Sequence, residues 1–156
     1  MSNLPPIEQT GPALNAVLGA VLGDLAFMVS DGDAPAPLAG TVWLQAETAY
    51  RGPVSGRLTC WCSRAFAVQL AANLLGLDPD APTAQTDAED ALGEFLNVLC
   101  GNLVTMWYGT TAVFNVGIPR VRECLDGPEL TASDPHDTCQ LSVNDEPVYC
   151  LHTRGQ

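Results

Sequence analysis

Seven apolar residues near the start of the chain, Leu14, Val17, Leu18, Val21, Leu22, Leu25 and Met28, recur at steps of three and four. Such a stripe defines an amphipathic helix that must lie on something apolar. The segments that follow supply it. Residues 41–50 and 56–62 read as two strands joined by Arg51-Gly52-Pro53-Val54-Ser55, a turn-rich stretch that predicts a hairpin. Ser63 is placed to N-cap a helix over 64–75, and Gly76 to end it. A third, longer helix is expected over 87–107, opened by a Thr86-Asp87-Ala88-Glu89 capping box and buried along Ala88, Leu92, Phe95, Leu99 and Met106. Extended segments follow at 111–121, 138–143 and 147–153, the last two flanking the short turn Asn144-Asp145-Glu146. Residues 30–40 and 78–85, rich in Pro, Asp and Gly, read as loops. The expected class is α+β, a mainly antiparallel sheet with helices packed on it, in one domain over residues 1–156.

Charge narrows the partners. Eighteen acidic residues against six basic give a net charge of −12, and all six basic residues are arginines. So acidic a surface repels nucleic acid and anionic lipid. A chain without lysine also lacks the central residue of a Walker-A phosphate loop and of Schiff-base catalysis. The apolar run over 16–23 is too short to span a bilayer, and no basic residue precedes Arg51, which points to a cytoplasmic protein. In that compartment Cys60, Cys62, Cys100, Cys124, Cys139 and Cys150 are expected as buried free thiols. No Cys-x-x-Cys occurs, and His136 and His152 fall at no zinc-ligand spacing, so no metal site is expected; both read as surface or strand histidines.

On the long helix, Asp90, Glu94, Asn97 and Gly101 follow at steps of four, three and four and therefore share a face. Gly101 there lets another surface approach the backbone. Asn is a poor helix former, so Asn97 in mid-helix sacrifices a little stability without packing gain. Spacing alone leaves a merely solvated helix face as the alternative.

The run Asp90-Ala91-Leu92-Gly93-Glu94-Phe95-Leu96-Asn97-Val98-Leu99-Cys100-Gly101-Asn102 resembles the signature helix of the CheX/CheC/FliY chemotaxis phosphatases, whose core is Glu-x-x-Asn. Gly52-Pro53-Val54-Ser55-Gly56 resembles the family's hairpin turn, the segment from Phe66 to Leu75 its next helix, and Gly117-Ile118-Pro119 its small-x-Pro strand segment. The resemblance extends over about residues 10–153. Pro12-Ala13-Leu14-Asn15 stands where CheC-type proteins carry a second Glu-x-x-Asn, which favours the CheX arrangement. The basic residue that often follows Gly-Asn is absent from Leu103-Val104-Thr105.

The resemblance implies dephosphorylation of a phosphorylated CheY-like receiver. Asn97 orients the attacking water and Glu94 pairs with the receiver's lysine, with Asp90 and Gly101 as further contacts. No cofactor is implied on this chain, since Mg²⁺ comes with the receiver. A homodimer is also implied, and the lysine-free 149–151 stretch, taken as a sheet edge, is the expected place for it. The competing function is a receiver-binding adaptor of the same fold that docks without catalysis.

Overall fold

The structure, a computed structural model, describes residues 11–37, 40–125, 127–130 and 134–155. The chain runs α1 (Leu14–Ala26), β1 (Ser30–Asp33), β2 (Trp43–Arg51), β3 (Gly56–Cys62), α2 (Arg64–Leu75), α3 (Pro82–Thr86) and α4 (Ala88–Tyr108). Then come β4 (Asn115–Val116), β5 (Arg120–Cys124), a 3-10 turn (Pro135–Asp137), β6 (Thr138–Val143) and β7 (Glu146–Arg154). The strands form one antiparallel sheet in the order β1-β6-β7-β3-β2-β4, with β5 also paired to β2. The helices pack on it, so the α+β class holds.

Helix α2 matches its sequence signals. Ser63 Oγ accepts from Phe66 N at 3.0 Å, and Gly76 closes the helix in the left-handed region at φ 68°. Helix α1 buries the expected stripe, but Phe27, also left-handed at φ 56°, ends it before Met28.

Other expectations are corrected. The capping box does not form: Thr86 is the last residue of α3, and its hydroxyl donates back to the Pro82 carbonyl at 2.5 Å. Asp87, whose carbonyl accepts from Ala91 N, links α3 to α4 with no side-chain cap. Met106 is 42% exposed, and the buried stripe ends instead on Leu103 and Trp107. The supposed loop 30–40 contributes β1, and the other supposed loop contributes α3. The expected strand over 111–121 is interrupted at residues 117–119, leaving β4 and β5 as separate pairings on β2.

The sheet's inner face meets α1, α2 and α4 in one core that includes Leu18, Leu22, Leu44, Leu58, Phe66, Leu96 and Trp107. Strand alternation sends Cys60 and Cys62 into that core and Trp61 to the other face. There Trp61 joins Trp43, Tyr149 and Leu151 in a smaller cluster.

The cysteine expectation fails for one pair. Cys60 on β3 lies directly opposite Cys150 on β7, so their side chains leave the sheet on the same face, and the two are joined as a disulfide. The other four are free and buried, and burial pushes the thiols of Cys62, Cys100 and Cys139 up to about 12.

The assembly surface is corrected as well. Strand β7 lies between β3 and β6, and β1 covers β6, so Tyr149, Cys150 and Leu151 are buried inside the sheet. An edge-to-edge dimer cannot use them. The edge beside β6 is the short, acidic β1, a form that discourages strand addition.

His152 is no surface residue. It is 1% exposed, with Nδ1 3.1 Å from Asp137 Oδ1 and Nε2 2.8 Å from the Tyr50 hydroxyl. The Tyr50 hydroxyl in turn lies 3.2 Å from that of Tyr108. Burial lowers the His152 pKa, outweighing the Asp137 hydrogen bond and charge that raise it; Arg154 and His136 lower it further. The ring is thus neutral, donating from Nδ1 and accepting at Nε2.

An unfolded histidine titrates near 6.5, so the unfolded chain takes up this proton first as pH falls. Stability from this site is therefore full above about pH 6.5 and is lost as pH drops through the lower folded value. Urea midpoints should fall between about pH 7 and 5.5, and His152→Asn should flatten that slope; an equal slope in the variant would exclude His152 as its source.

Candidate active site

Helix α4 carries the site, and its neighbours decide which of its residues can act. Three buried positions, Leu92, Leu96 and Leu99, fasten it to the core. The face with Asp90, Glu94, Asn97 and Gly101 turns outward: Asp90 and Glu94 are exposed, Asn97 and Gly101 half-buried. All four sequence candidates thus share one surface. Glu89 and Asp90 sit in the first turn, where negative charge is favoured. Glu89 also meets Arg64 Nη2 at 3.2 Å, and the same nitrogen lies 2.9 Å from Glu123, tying α2, α4 and β5 together. These exposed pairs add little stability but engage the Arg64 guanidinium. Glu94 has no ion-pair partner among the described residues.

Gly93 explains how the helix can lie so close to the segment between β4 and β5. A Cβ built there would stand 3.3 Å from Pro119 Cγ and 3.5 Å from Val121 Cγ2, already tight. The segment 117–119 therefore runs along α4 beside Asn97. Its backbone is anchored by Gly117 N donating to the Ala49 carbonyl at 2.7 Å. Ile118, 89% exposed, projects from it.

Gly101 meets the expectation differently. A Cβ there would touch nothing within 4 Å, so no part of the fold demands glycine. The open space beside it is a groove of about 430 Å³ lined by Gly101, Val104, Thr105, Val113, Phe114 and Val116. Of Leu103, Val104 and Thr105, where the sequence lacks a basic residue, the first two are buried and Thr105 is exposed.

One site residue was missed by sequence reasoning. Thr48 on β2 places its Oγ1 3.4 Å from Asn97 Oδ1 and 3.1 Å from the Gly117 carbonyl. Asn97 is held from below rather than left free on a solvated surface. The one available signal was a threonine on the strand face that otherwise carries Leu44, Ala46 and Tyr50. Among the described residues, no three His, Cys, Asp or Glu side chains gather as metal ligands would. Among those residues, no helix is long and apolar enough to cross a membrane.

A family model described as chemotaxis phosphatase CheX matches residues 45–144, from near the start of β2 to the turn after β6. The chain belongs to the CheX chemotaxis phosphatase family. Solved structures agree on the fold. A chemotaxis protein CheX from Desulfovibrio desulfuricans superposes with a TM-score of 0.65 at 17% identity, covering 91% of this chain and 96% of that one. CheX in a CheX–CheY–BeF3–Mg²⁺ complex from Borrelia burgdorferi gives 0.61 at 16%, covering 92% and 96%. FliY from Thermotoga maritima gives 0.57 at 13%, covering 96% and 91%. No curated protein sequence matches this chain.

Proposed function

We propose that this CheX-family chain hydrolyses the aspartyl phosphate of a CheY-like receiver in chemotaxis signalling, with Asn97 positioning the water and Glu94 holding the receiver. The observation that carries the assignment of residues is the contrast on α4. Asn97 is gripped by Thr48, whereas Glu94, one turn earlier, is exposed and without an ionic partner. A fixed amide beside a free carboxylate suits a reaction that needs one group positioned and one cation captured. The Borrelia relative captured with CheY, BeF3 and Mg²⁺ supports the choice of partner.

In this reading water attacks phosphorus in line, the bond from phosphorus to the aspartyl oxygen breaks, the carboxylate leaves, and the water's proton stays on the released inorganic phosphate. Phosphoryl transfer needs mostly positioning and charge stabilisation. Asn97 aligns the water without taking its proton, and being neutral it adds no repulsion beside the phosphate. Mg²⁺ and the lysine belong to the receiver. Gly101 and the groove beside it admit the receiver's surface, and Asp90 borders the contact. One domain formed around the single sheet suffices for this role. We place it in the cytoplasm, where no membrane passage is required.

The test is the decay of ³²P-labelled receivers from a panel, with and without the protein. Faster decay is expected; binding without acceleration would make the chain an adaptor. Glu94→Gln keeps the shape and removes the charge, so it should weaken receiver binding and reduce its dependence on salt. Unchanged affinity with an unchanged salt response would remove Glu94 from the interface.

A further inference from the structure

We propose that Thr48 is a positioning residue for this reaction, fixing which end of the Asn97 carboxamide faces the receiver; the proposal rests on the phosphatase reading above. Thr48 is 3% exposed, on the inner face of β2. Its hydroxyl lies between two groups from other parts of the chain, the Gly117 carbonyl at 3.1 Å and Asn97 Oδ1 at 3.4 Å.

A hydroxyl has one proton to give and lone pairs to receive with. The Gly117 carbonyl can only accept, and it is the nearer group, so the proton goes there. The lone pairs of Oγ1 are then left facing Asn97. A carboxamide has an oxygen end and a nitrogen end of nearly the same shape, and its hydrogen bonds decide between them. With the oxygen toward Thr48, two acceptors contend for one proton. With the ring of contacts unchanged and the amide turned by half a rotation, Asn97 Nδ2–H donates to Thr48 Oγ1, which donates to the Gly117 carbonyl. Both bonds are satisfied in that order. Oδ1 is then on the side away from Thr48, where it can accept a hydrogen bond from the attacking water.

The clamp is independent of α4's own sequence. Thr48 comes from β2, and Gly117 is held by its backbone bond to Ala49 and by the packing of Pro119 on Gly93. Three elements thus converge on one side chain. Removing the hydroxyl leaves Asn97 able to flip and to change rotamer, which lowers the fraction of complexes with the oxygen in place without removing any group that touches the receiver.

The experiment compares wild type, Thr48→Val and Thr48→Ser in saturation kinetics with a CheY receiver phosphorylated from ³²P-acetyl phosphate. Thr48→Val should lower kcat about tenfold, the scale of one lost hydrogen bond, with KM nearly unchanged. Thr48→Ser should restore most of the rate. In parallel, the Asn97 side-chain amide resonances, identified by their loss in Asn97→Ala, should shift and exchange faster in Thr48→Val but not in Thr48→Ser. Circular dichroism and urea midpoints establish that both variants fold.

Thr48→Val at the wild-type kcat, Thr48→Ser falling as far as Thr48→Val, or unchanged Asn97 amide resonances would overturn the proposal. If wild type accelerates no receiver, the phosphatase reading fails, while the amide resonances still decide whether Thr48 orients Asn97.

Discussion

Asn97→Ala should slow receiver dephosphorylation by about 10²-fold or more and leave the fold intact. The rate effect follows from the role: when catalysis is mostly alignment, loss of the aligning group removes most of it. The fold is spared because Asn97 lies on the outward face, where alanine is the better helix former. Its one side-chain hydrogen bond among those described is with Thr48, whose hydroxyl keeps the Gly117 carbonyl. Receiver binding should persist, since Glu94 is untouched. Decay at near the wild-type rate in this variant, with binding retained, would take the catalytic role away from Asn97.

Trp107→Ala should have the opposite profile, destabilising the fold by about 3–5 kcal/mol, as deletion of a large core aromatic does. Trp107 is fully buried and its Nε1 donates to the Pro12 carbonyl at 2.7 Å. Its ring stacks on His136 at a centroid distance of 5.1 Å and forms a T-shaped pair with His152 at 4.7 Å. Truncation opens a cavity and leaves the Pro12 carbonyl without its donor. Domains of this size are stable by about 5–15 kcal/mol, so the loss is a large share of the total. Urea unfolding reads it directly, and a change below about 1.5 kcal/mol would contradict the packing. At low temperature the molecules still folded should keep their activity, because Trp107 lies about 15 Å farther along α4 than Asn97.

What the sequence revealed was what local spacing can encode. The capped helix after Ser63, the apolar stripe of α1 and the shared face of Asp90, Glu94, Asn97 and Gly101 each depend on neighbours within a few positions. What it concealed depends on distant partners. Ser30-Asp31-Gly32-Asp33 has the composition of a loop and becomes β1 only because β6 offers it an edge. Met106 and Trp107 are adjacent, and a drift of the buried stripe along a 21-residue helix decides which one faces the core. Cys60 and Cys150 meet only through a strand order that no short pattern specifies. Thr48 reads as an ordinary strand residue until α4 is laid across it.

That strand order has a kinetic consequence. The centre of the sheet is the pairing of β3 with β7, whose facing residues Cys60 and Cys150 are 90 positions apart in sequence. Closing a flexible loop of that length costs on the order of 4 kcal/mol of chain entropy before its contacts give anything back. The β2–β3 hairpin can form early from local contacts, but until β7 arrives β3 presents an unpaired edge flanked by Trp61 and Leu58. Folding should therefore be slow for the chain's length, and the intermediate lacking β7 is the species in which this protein is most exposed to aggregation.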